Sequence, residues 1–599
     1  MTRKSFADSV LTIAAIGFVA FIIIFANTIY PLAGNDFRYF IPRLLDAYIH
    51  YKVNGLSIQW YTPMFAGGLP AYPNPQDTQF TLPQLLMLIM NPWWAFFTAS
   101  AIYIFLGFYS AYYFFEHILG FEPLACALGS IFFNVNGFII SQTVVGHLGY
   151  QAFPLFPIIL IALTHSKLSP FIKGLLVSLV LSILIHSGGF YVIVIYTLSL
   201  SMLIPVLILI NPSFLWPKSL FLTSIWAAIL TTLLSGSKIY ASLAFLGLFP
   251  RIISDNYQVN LFNGLYGIVL QFAYLTVIIP LANLFGIDVP GTYDYAKLIS
   301  GTNTGLWEFN VGLSPALLLL IIVSIFISIK NFRNNFHSIT KKSIFLLILL
   351  GIFIWITIEF RLTNGWIYPN FIRNLPIIRS LHVNLRFAAA FIFPFSLIGA
   401  WCFNYLKGRV SSYRTLLLFL VFVFASLFSL SSYFLLRESY FKFAYDLSPS
   451  MRIYENINRG DTYPVDRLEK VDDTQAITLK ASSLEAYEPI LGYELENFNP
   501  QIHPGSVWDQ NDGYFNMTNP ASLVFPRENN SYPFERIKIT DREKLEAFIN
   551  HRQPDWKRPL IQEALDVLMM ISFIALALAT IGFGGGYIIN FIISRFKAS

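Results

Sequence analysis

The stretch that decides the fold is an apolar run at residues 10–30, VLTIAAIGFVAFIIIFANTIY, which is followed by the polar tetrapeptide NDFR at 35–38. About 20 consecutive apolar residues are enough to cross the hydrocarbon core of a bilayer as a helix. The run lacks a small-x-small cleavage site near Ala33 and Gly34, so we interpret it as a retained spanning helix rather than a signal peptide. Asp36 then lies at the end of the first span, where an acidic residue marks a candidate site.

The composition of the whole chain is that of a membrane protein. Of its 599 residues, 55% are hydrophobic and 12% are charged, and apolar runs of similar length recur along the sequence. The two cysteines, Cys126 and Cys402, both fall inside such runs, so we predict neither a disulfide framework nor a thiolate metal site. The net charge of +6 is spread over many loops without a basic block, which disfavours nucleic acid as a partner.

The positions of Lys and Arg predict the topology, because these residues are retained on the cytoplasmic side of short loops. We predict an all-α polytopic membrane protein of twelve spans with both termini inside. The predicted spans are 10–30, 96–115, 123–142, 150–165, 172–187, 189–210, 219–235, 312–330, 343–360, 386–406, 413–436 and 564–590. A further apolar stretch at 265–284 would break the alternation, so we interpret it as re-entrant or interfacial.

Large connecting segments are predicted to lie on the extracytoplasmic side. The first of them is rich in Pro, Gly and aromatic residues, which predicts a structured loop, and it carries an amphipathic helix at 38–52. The last holds many of the charges and predicts a small α+β domain. Its predicted strands are near 476–479, 522–525 and 535–540. The four segments are 33–95, 236–311, 361–385 and 437–562.

The chain therefore divides into three predicted parts. Residues 1–436 form a transmembrane domain that includes the first two outer segments. Residues 437–562 form the α+β domain, and 563–599 contain the last spanning helix and a cytoplasmic tail.

Common catalytic motifs are missing from the sequence. It contains no Walker A loop, no strand-G-x-G-x-x-G-helix unit, no H-E-x-x-H and no G-x-S-x-G elbow. These absences disfavour a nucleotide-driven pump. Any group donor should be activated without a soluble nucleotide-binding domain, as a lipid-linked phosphate is.

Two interpretations of Asp36 follow from the residues alone. A partly desolvated carboxylate beside Arg38 could keep a pKa suited to removing a hydroxyl proton. Alternatively, Asp36 is an ordinary cap of the helix that follows, satisfying free N–H groups. The sequence does not decide between them.

A group of cationic residues on the predicted extracytoplasmic side forms a second candidate site. Arg379, His382 and Arg386 are spaced i, i+3 and i+7, so one helix face would carry all three and could bind a phosphate or pyrophosphate. Lys238 and Arg251 could serve similarly. The alternative is that these side chains extend to the head groups of the surrounding lipid.

Two further residues lie at predicted outer span ends. His147 is either a ligand-contacting residue or an interfacial hydrogen-bonding residue. Glu308 enters the membrane region next to the eighth span, where an acid is costly unless it is used or paired, and a salt bridge to one of the cations is the simpler interpretation.

A span followed at once by an acidic outer loop, an amphipathic helix and many further spans resembles the GT-C superfamily of membrane glycosyltransferases, and in particular its YfhO-like bacterial branch. Asp36 has no paired acid beside it, which disfavours a metal-dependent version, although a divalent cation remains open. The stretches that carry the resemblance are 35–42, 60–75, 146–147 with Pro154 and Pro157, 186–189, 237–251, 307–315 and 376–386.

The resemblance implies a polyprenyl-phosphate-sugar donor that enters from the bilayer of a bacterial cytoplasmic membrane. The sugar would pass to an acceptor hydroxyl of a glycolipid or cell-envelope glycan on the extracytoplasmic face, with Asp36 as the general base. The cations would hold the departing lipid phosphate. The residues implied in that role are Arg379, His382 and Arg386, with Lys238 or Arg251, and those implied to stack on sugar rings are Trp60, Tyr61 and Tyr72.

A transporter or flippase for a lipid-linked sugar is the alternative function. Transporters tend to show repeated halves and ionisable or broken helices near the membrane midplane. Here the predicted spans are nearly free of acids, and the polar residues collect at their outer ends. This asymmetry favours an enzyme that acts at one face.

Overall fold

A computed structural model describes residues 3–210, 217–249, 273–287, 305–308, 310–334, 349, 384–407, 410–441, 443–489 and 498–598. Three predicted site residues lie outside this part of the chain, namely Arg251, Arg379 and His382. Almost all of the predicted span at 343–360 and of the predicted outer segment at 361–385 lies outside it as well.

Helices dominate the described residues. The helices are α1 (Arg3–Ala26), α2 (Phe37–Asn54), α3 (Leu82–Leu86), α4 (Pro92–Tyr113), α5 (Pro123–Asn134), α6 (Gly137–Val144), α7 (Phe156–Thr164), α8 (Pro170–His186), α9 (Phe190–Ile210), α10 (Pro217–Leu248), α11 (Ile279–Phe285), α12 (Pro315–Asn334), α13 (Ile392–Lys407), α14 (Ser412–Phe428), α15 (Ser432–Leu435), α16 (Arg437–Phe441), α17 (Ser448–Asn458), α18 (Asp473–Leu479), α19 (Arg542–Ile549) and α20 (Leu560–Ala598).

The strands in the described residues are short, and one pair of them connects parts of the chain that are distant in sequence. The strands are β1 (Leu32–Ala33), β2 (Tyr61–Thr62), β3 (Leu69–Pro70), β4 (Tyr445–Asp446), β5 (Arg467–Glu469), β6 (Ser482–Ser483), β7 (Gly505–Ser506), β8 (Gln510–Asn511), β9 (Tyr514–Thr518) and β10 (Arg536–Lys538). They form sheets in the orders β1-β4, β2-β3, β6-β5-β7 and β10-β9-β8.

Seven helices in the described part of the chain are long and apolar enough to cross a membrane, and there are eight if α5 and α6 count as one bent span. Three shorter apolar helical segments add to them, at Leu148–Thr164, Pro170–His186 and Pro315–Ile327. The chain is thus a mostly helical protein with several candidate spans, as the sequence predicts. The total of twelve stays a prediction.

The predicted span at 123–142 is broken. Helices α5 and α6 meet at an angle of 41°, and the side chain of Asn136 caps α6 by accepting a hydrogen bond from the backbone N–H of Ile139 at 3.0 Å. At Gly137 an added Cβ would lie 2.1 Å from Oδ1 of Asn310. The break therefore lets the loop before α12 approach the backbone of α6.

Helix α5 lies at the centre of the bundle. It packs against α1, α4, α13 and α14. Small residues permit this close packing, since a Cβ at Gly129 would lie 2.7 Å from the Cβ of Ala400. The core is rich in phenylalanine, including Phe115 and Phe393, whose rings stack with centroids 5.6 Å apart.

Helix α10 is longer than predicted. It continues to Leu248 rather than ending near residue 235, so the beginning of the predicted outer segment 236–311 is helical. Ser237 is buried there and donates a hydrogen bond to Asp566 of α20 at 2.6 Å. This bond joins the two long helices α10 and α20.

The first and last predicted outer segments pack together as one unit. Strand β1 pairs with β4, and Phe65 bridges to Ser483, whose backbone N–H donates to Met64 O at 2.9 Å. The predicted amphipathic helix is present as α2, and it contacts α17 and α18 of the last segment. The two segments thus share backbone hydrogen bonds as well as side-chain contacts.

Two of the three strands predicted in the last segment are wrong. Residues 476–479 lie in α18, because Asp472 caps that helix by accepting from the N–H of Gln475 at 2.8 Å. The first half of 522–525 lies in a 3₁₀ turn, Pro520–Leu523, capped by Asn519, and no strand follows it there. The third prediction, at 535–540, is confirmed by β10.

Candidate active site

The backbone around Asp36 is held against the turn that follows α6. The N–H of Asp36 donates to the carbonyl of Val145 at 3.0 Å. A Cβ on Gly34 would lie 2.4 Å from the Cα of Val145, so only glycine fits there. Gly146 has a φ of +92°, and a Cβ at that position would lie 2.7 Å from the ring of Phe37. These close approaches bring the start of α2 beside His147.

The carboxyl group of Asp36 contacts the imidazole of His147, with Oδ2 against Nε2. Asp36 directly precedes α2, yet its side chain makes no capping hydrogen bond to that helix. The helix-cap interpretation therefore does not describe this side chain. Its second oxygen, Oδ1, has the amide of Asn35 at 3.4 Å.

The other side of the His147 ring faces Gln142. Nδ1 of His147 contacts Oε1 of Gln142, and Nε2 of Gln142 donates to the carbonyl of Trp307 at 2.7 Å. His147 is only 8% exposed and Gln142 only 2%. The imidazole is thus fixed between a carboxyl group and an amide.

Arg386 and Glu308 form a buried ion pair in the same region. Nε and one terminal nitrogen of Arg386 each lie 2.5 Å from Oε2 of Glu308. The other terminal nitrogen donates to the hydroxyl of Tyr150 at 2.5 Å. The ring of Tyr150 in turn lies 5.4 Å from that of His147, measured between centroids. The pairing predicted for Glu308 is present, with Arg386 as its partner.

Burial raises the pKa of Asp36 to about 7, and the charge of Glu308 adds to this effect, while Arg386 and Arg38 oppose it. Burial, with a smaller effect from Arg386, holds the pKa of His147 well below its ordinary value. Near neutral pH, Asp36 is therefore partly ionised and His147 is uncharged. A carboxyl group in this state is suited to accept a proton from a hydroxyl.

Arg38 differs from the other predicted cations that the structure describes, because it is exposed. Its guanidinium lies 4.1 Å from the centroid of the Tyr487 ring. It stands two residues after Asp36, at the start of α2. An anionic ligand near Asp36 could therefore reach it.

Lys238 has a separate set of partners. It is fully buried, and its Nζ donates to the carbonyls of Tyr72 and Asn74, each at 2.6 Å, with Asp77 at 3.6 Å. These contacts join α10 to the segment at 33–95. In this structure Lys238 binds the protein itself rather than facing an open site.

The three aromatic residues predicted to stack on sugars lie in different settings. Tyr72 is fully buried and its hydroxyl bonds to Ser237 at 2.9 Å. Trp60 and Tyr61 line a cavity of about 90 Å³, and the ring of Tyr61 packs edge-on against Trp556 at 5.0 Å. Trp60 is 3% exposed, and the guanidinium of Arg558 lies 4.8 Å from its ring centroid.

Sequence reasoning missed Gln142 and Tyr150 as members of the site. Gln142 is a polar residue at the end of an otherwise apolar run, which is a usable signal because such residues are costly in a membrane unless they are bonded. The pairing of Tyr150 with Arg386 joins positions 236 residues apart and has no local signal. Among the described residues, no group of three or more His, Cys, Asp or Glu is arranged to hold a metal ion.

Comparison with known proteins finds similar solved structures at low identity. No family model and no curated protein matches the chain. ArnT from Cupriavidus metallidurans, bound to undecaprenyl phosphate, is 14% identical with a TM-score of 0.39, over 83% of this chain and 91% of that one.

Two structures of an Archaeoglobus fulgidus oligosaccharyltransferase are also similar. One, in complex with Zn and sulfate, has 14% identity and a TM-score of 0.34 over 72% of this chain. The other, AglB with an inhibitory peptide and a dolichol-phosphate, has 14% identity and a TM-score of 0.35 over 73% of this chain. The match covers about half the length of these two chains, 52% and 56%.

Proposed function

We propose that this protein is a membrane glycosyltransferase that moves a sugar from a polyprenyl-phosphate donor to an acceptor hydroxyl of a glycolipid or cell-envelope glycan. The reaction takes place on the extracytoplasmic face of a bacterial cytoplasmic membrane. The observation that carries this is the largely buried Asp36 carboxyl group, which follows the first apolar helix and faces His147. The reaction class itself comes from the sequence resemblance to GT-C enzymes.

Asp36 acts as the general base. Its raised pKa, about 7, matches the requirement that a base be near the operating pH, where it is both ionised and able to bind a proton. Asp36 removes the proton from the acceptor hydroxyl as the oxygen attacks the anomeric carbon. The side chain makes no capping bond to α2, so this role does not compete with a helix cap.

Arg38 is the cation best placed to meet the lipid phosphate, because it is exposed and adjacent to Asp36. Arg386 contributes a fixed positive charge nearby, although all three of its nitrogen groups already have protein partners. Preorganised cations stabilise negative charge that develops on a leaving phosphate. By the sequence pattern, Arg379, His382 and Arg251 belong to the same binding function.

The test is release of undecaprenyl phosphate, the product that every undecaprenyl-phosphate-sugar donor has in common. The purified protein in lipid nanodiscs is incubated with a panel of such donors and a lipid extract as acceptor, and the released lipid is measured by mass spectrometry. Asp36→Asn should lower the release about 100-fold or more. Asp461→Asn, at an exposed position of the segment 437–562, is the matched control and should retain activity.

Two outcomes would contradict this function. Turnover retained in Asp36→Asn would remove Asp36 from the role of base. Translocation of a fluorescent undecaprenyl-phosphate-sugar across vesicles, without release of undecaprenyl phosphate, would indicate a flippase instead.

A further inference from the structure

We propose that Gln142 is a positioning residue that fixes the tautomer of His147, so that Nε2 of His147 accepts a hydrogen bond from Asp36 once Asp36 has taken a proton. The imidazole then stabilises the protonated form of the base. The catalytic consequence rests on the proposed function, whereas the tautomer does not depend on it.

The orientation of the Gln142 amide follows from its contact with Trp307. A backbone carbonyl can only accept, so the group 2.7 Å from Trp307 O must be the NH₂ of Gln142. The carbonyl oxygen of the same amide then faces Nδ1 of His147. The backbone N–H of His147 also donates to the carbonyl of Gln142, at 2.9 Å, which holds the two residues together.

The tautomer of His147 follows from that orientation. Oε1 of Gln142 has no proton to give, so Nδ1 of His147 must carry the hydrogen of this bond. Burial keeps the ring neutral, and a neutral imidazole has only one N–H. Nε2 therefore presents a lone pair to Asp36.

A lone pair facing a carboxylate repels it, whereas a lone pair facing a carboxylic acid accepts its hydrogen bond. Hydrogen bonding to the neutral form of an acid favours that form, and so makes the ionised carboxylate a stronger base. The other charged groups around Asp36 are Glu308, which acts in the same direction, and Arg38 and Arg386, which act against it. The hydroxyl of Tyr150 is occupied by Arg386.

The step is balanced within the transfer reaction. The acceptor O–H bond breaks and its electron pair forms the new bond to the anomeric carbon. The bond between that carbon and the phosphate oxygen breaks, and its electron pair leaves with the lipid phosphate. The proton goes to Oδ2 of Asp36, where it is donated to Nε2 of His147.

The first test observes the tautomer directly. The full protein, labelled with ¹⁵N in its nine histidines and held in nanodiscs, is examined by NMR, and His147 is assigned by subtracting the spectrum of a His147→Gln variant. We expect Nδ1 to be protonated and Nε2 to be bare in the wild type, and Gln142→Leu to lose this preference. A wild-type ring that carries its hydrogen on Nε2 would overturn the inference, whatever the activity assay shows.

The second test measures the pH dependence of undecaprenyl phosphate release. In Gln142→Leu the imidazole is free to turn its N–H toward the carboxylate, which stabilises the ionised form of Asp36. The acid limb of the pH–rate profile should therefore move to lower pH by about one unit or more, and the maximal rate should fall. Gln151→Leu is the control, because Gln151 is also a buried amide but bonds instead to Phe96 O at 3.0 Å and Ser100 Oγ at 2.8 Å. An acid limb at the same pH in Gln142→Leu and the wild type would overturn the inference. A wild type that releases no undecaprenyl phosphate would contradict the proposed function alone.

Discussion

Arg386 binds Glu308 through two of its nitrogen atoms, each 2.5 Å from the same carboxylate oxygen. The residues are 78 positions apart, and both side chains are largely buried. Through Tyr150 the pair also reaches the turn that carries His147. Together with Tyr150, the ion pair joins three segments of the chain. It also places one positive and one negative charge near Asp36.

Removing one partner of this ion pair should lower the stability of the protein more than removing both. Arg386→Met leaves the Glu308 carboxylate buried without its partner, which costs about 3–5 kcal/mol of stability. The double variant Arg386→Met with Glu308→Met leaves no unpaired charge and should recover part of that loss. Thermal denaturation in detergent measures both, and equal losses in the single and double variants would contradict this expectation.

The activity should rise with pH through about 7. The base must be ionised to accept a proton, and burial with the charge of Glu308 holds the pKa of Asp36 at about 7. Glu308→Gln removes the negative charge of Glu308, so the acid limb of the pH–rate profile should lie at lower pH in this variant than in the wild type. Initial rates of undecaprenyl phosphate release over a range of pH check this, and a limb near the ordinary pKa of a carboxyl group would contradict it.

Asp36→Asn should stabilise the protein at about pH 8 but not at about pH 4. The pKa of Asp36 is raised on folding, so the folded state binds its proton more tightly than the unfolded chain does. The resulting stability is present at acidic pH and is lost as pH rises through about 7. Asparagine does not titrate, so the stability of the variant does not fall in this way as pH rises. Thermal midpoints at both pH values test the sign, and a lower midpoint for the variant at about pH 8 would contradict it.

Gly34→Ala should reduce turnover without removing any group from the site. The new Cβ would lie 2.4 Å from the Cα of Val145, so the backbone before Asp36 must move away from the turn that carries His147. A displacement of about 1 Å can lower a rate about 100-fold. Gly17→Ala is the control, because its Cβ would have nothing within 4 Å. Equal rates in the two variants would show that the close approach does not position the base.

Much of the framework around Asp36 could be predicted from the sequence because its signals are local. The apolar run of α1 and the amphipathic pattern of α2 each lie within one helix, and the cost of an unpaired acid near a span predicts an ion pair for Glu308. The break between α5 and α6 was missed although its signal was present. Asn136 followed by Gly137 is a helix cap inside an apolar run, which hydropathy alone does not detect.

The association of the segments at 33–95 and 437–562 could not be predicted in the same way. Strands β1 and β4 are two residues long, too short to show the alternation of apolar and polar residues that identifies a strand. Their pairing joins positions more than four hundred residues apart. The bond from Gln142 to a backbone carbonyl also carries no sequence signal, because every residue has such a carbonyl.

Arg43 should be essential for holding these two segments together. Its guanidinium lies 3.2 Å from Asp473 and 3.6 Å from Glu488, and 3.5 Å from the centroid of the Phe65 ring. Both acidic side chains are 2% exposed, so Arg43→Met would remove the cation that lies between two buried carboxylates, at a cost of about 3–5 kcal/mol.

For Arg43→Met we expect faster proteolysis within 437–562 and a lower thermal midpoint than in the wild type. Arg459→Met is the matched control, because Arg459 pairs with Glu455 on an exposed helix surface, where an ion pair contributes little. Adding Asp473→Asn and Glu488→Gln to Arg43→Met removes the two carboxylate charges as well, and should restore part of the resistance to protease. If Arg43→Met and Arg459→Met were cleaved at the same rate, the two segments would be held together by their backbone pairing and apolar contacts, and the buried charges would be secondary.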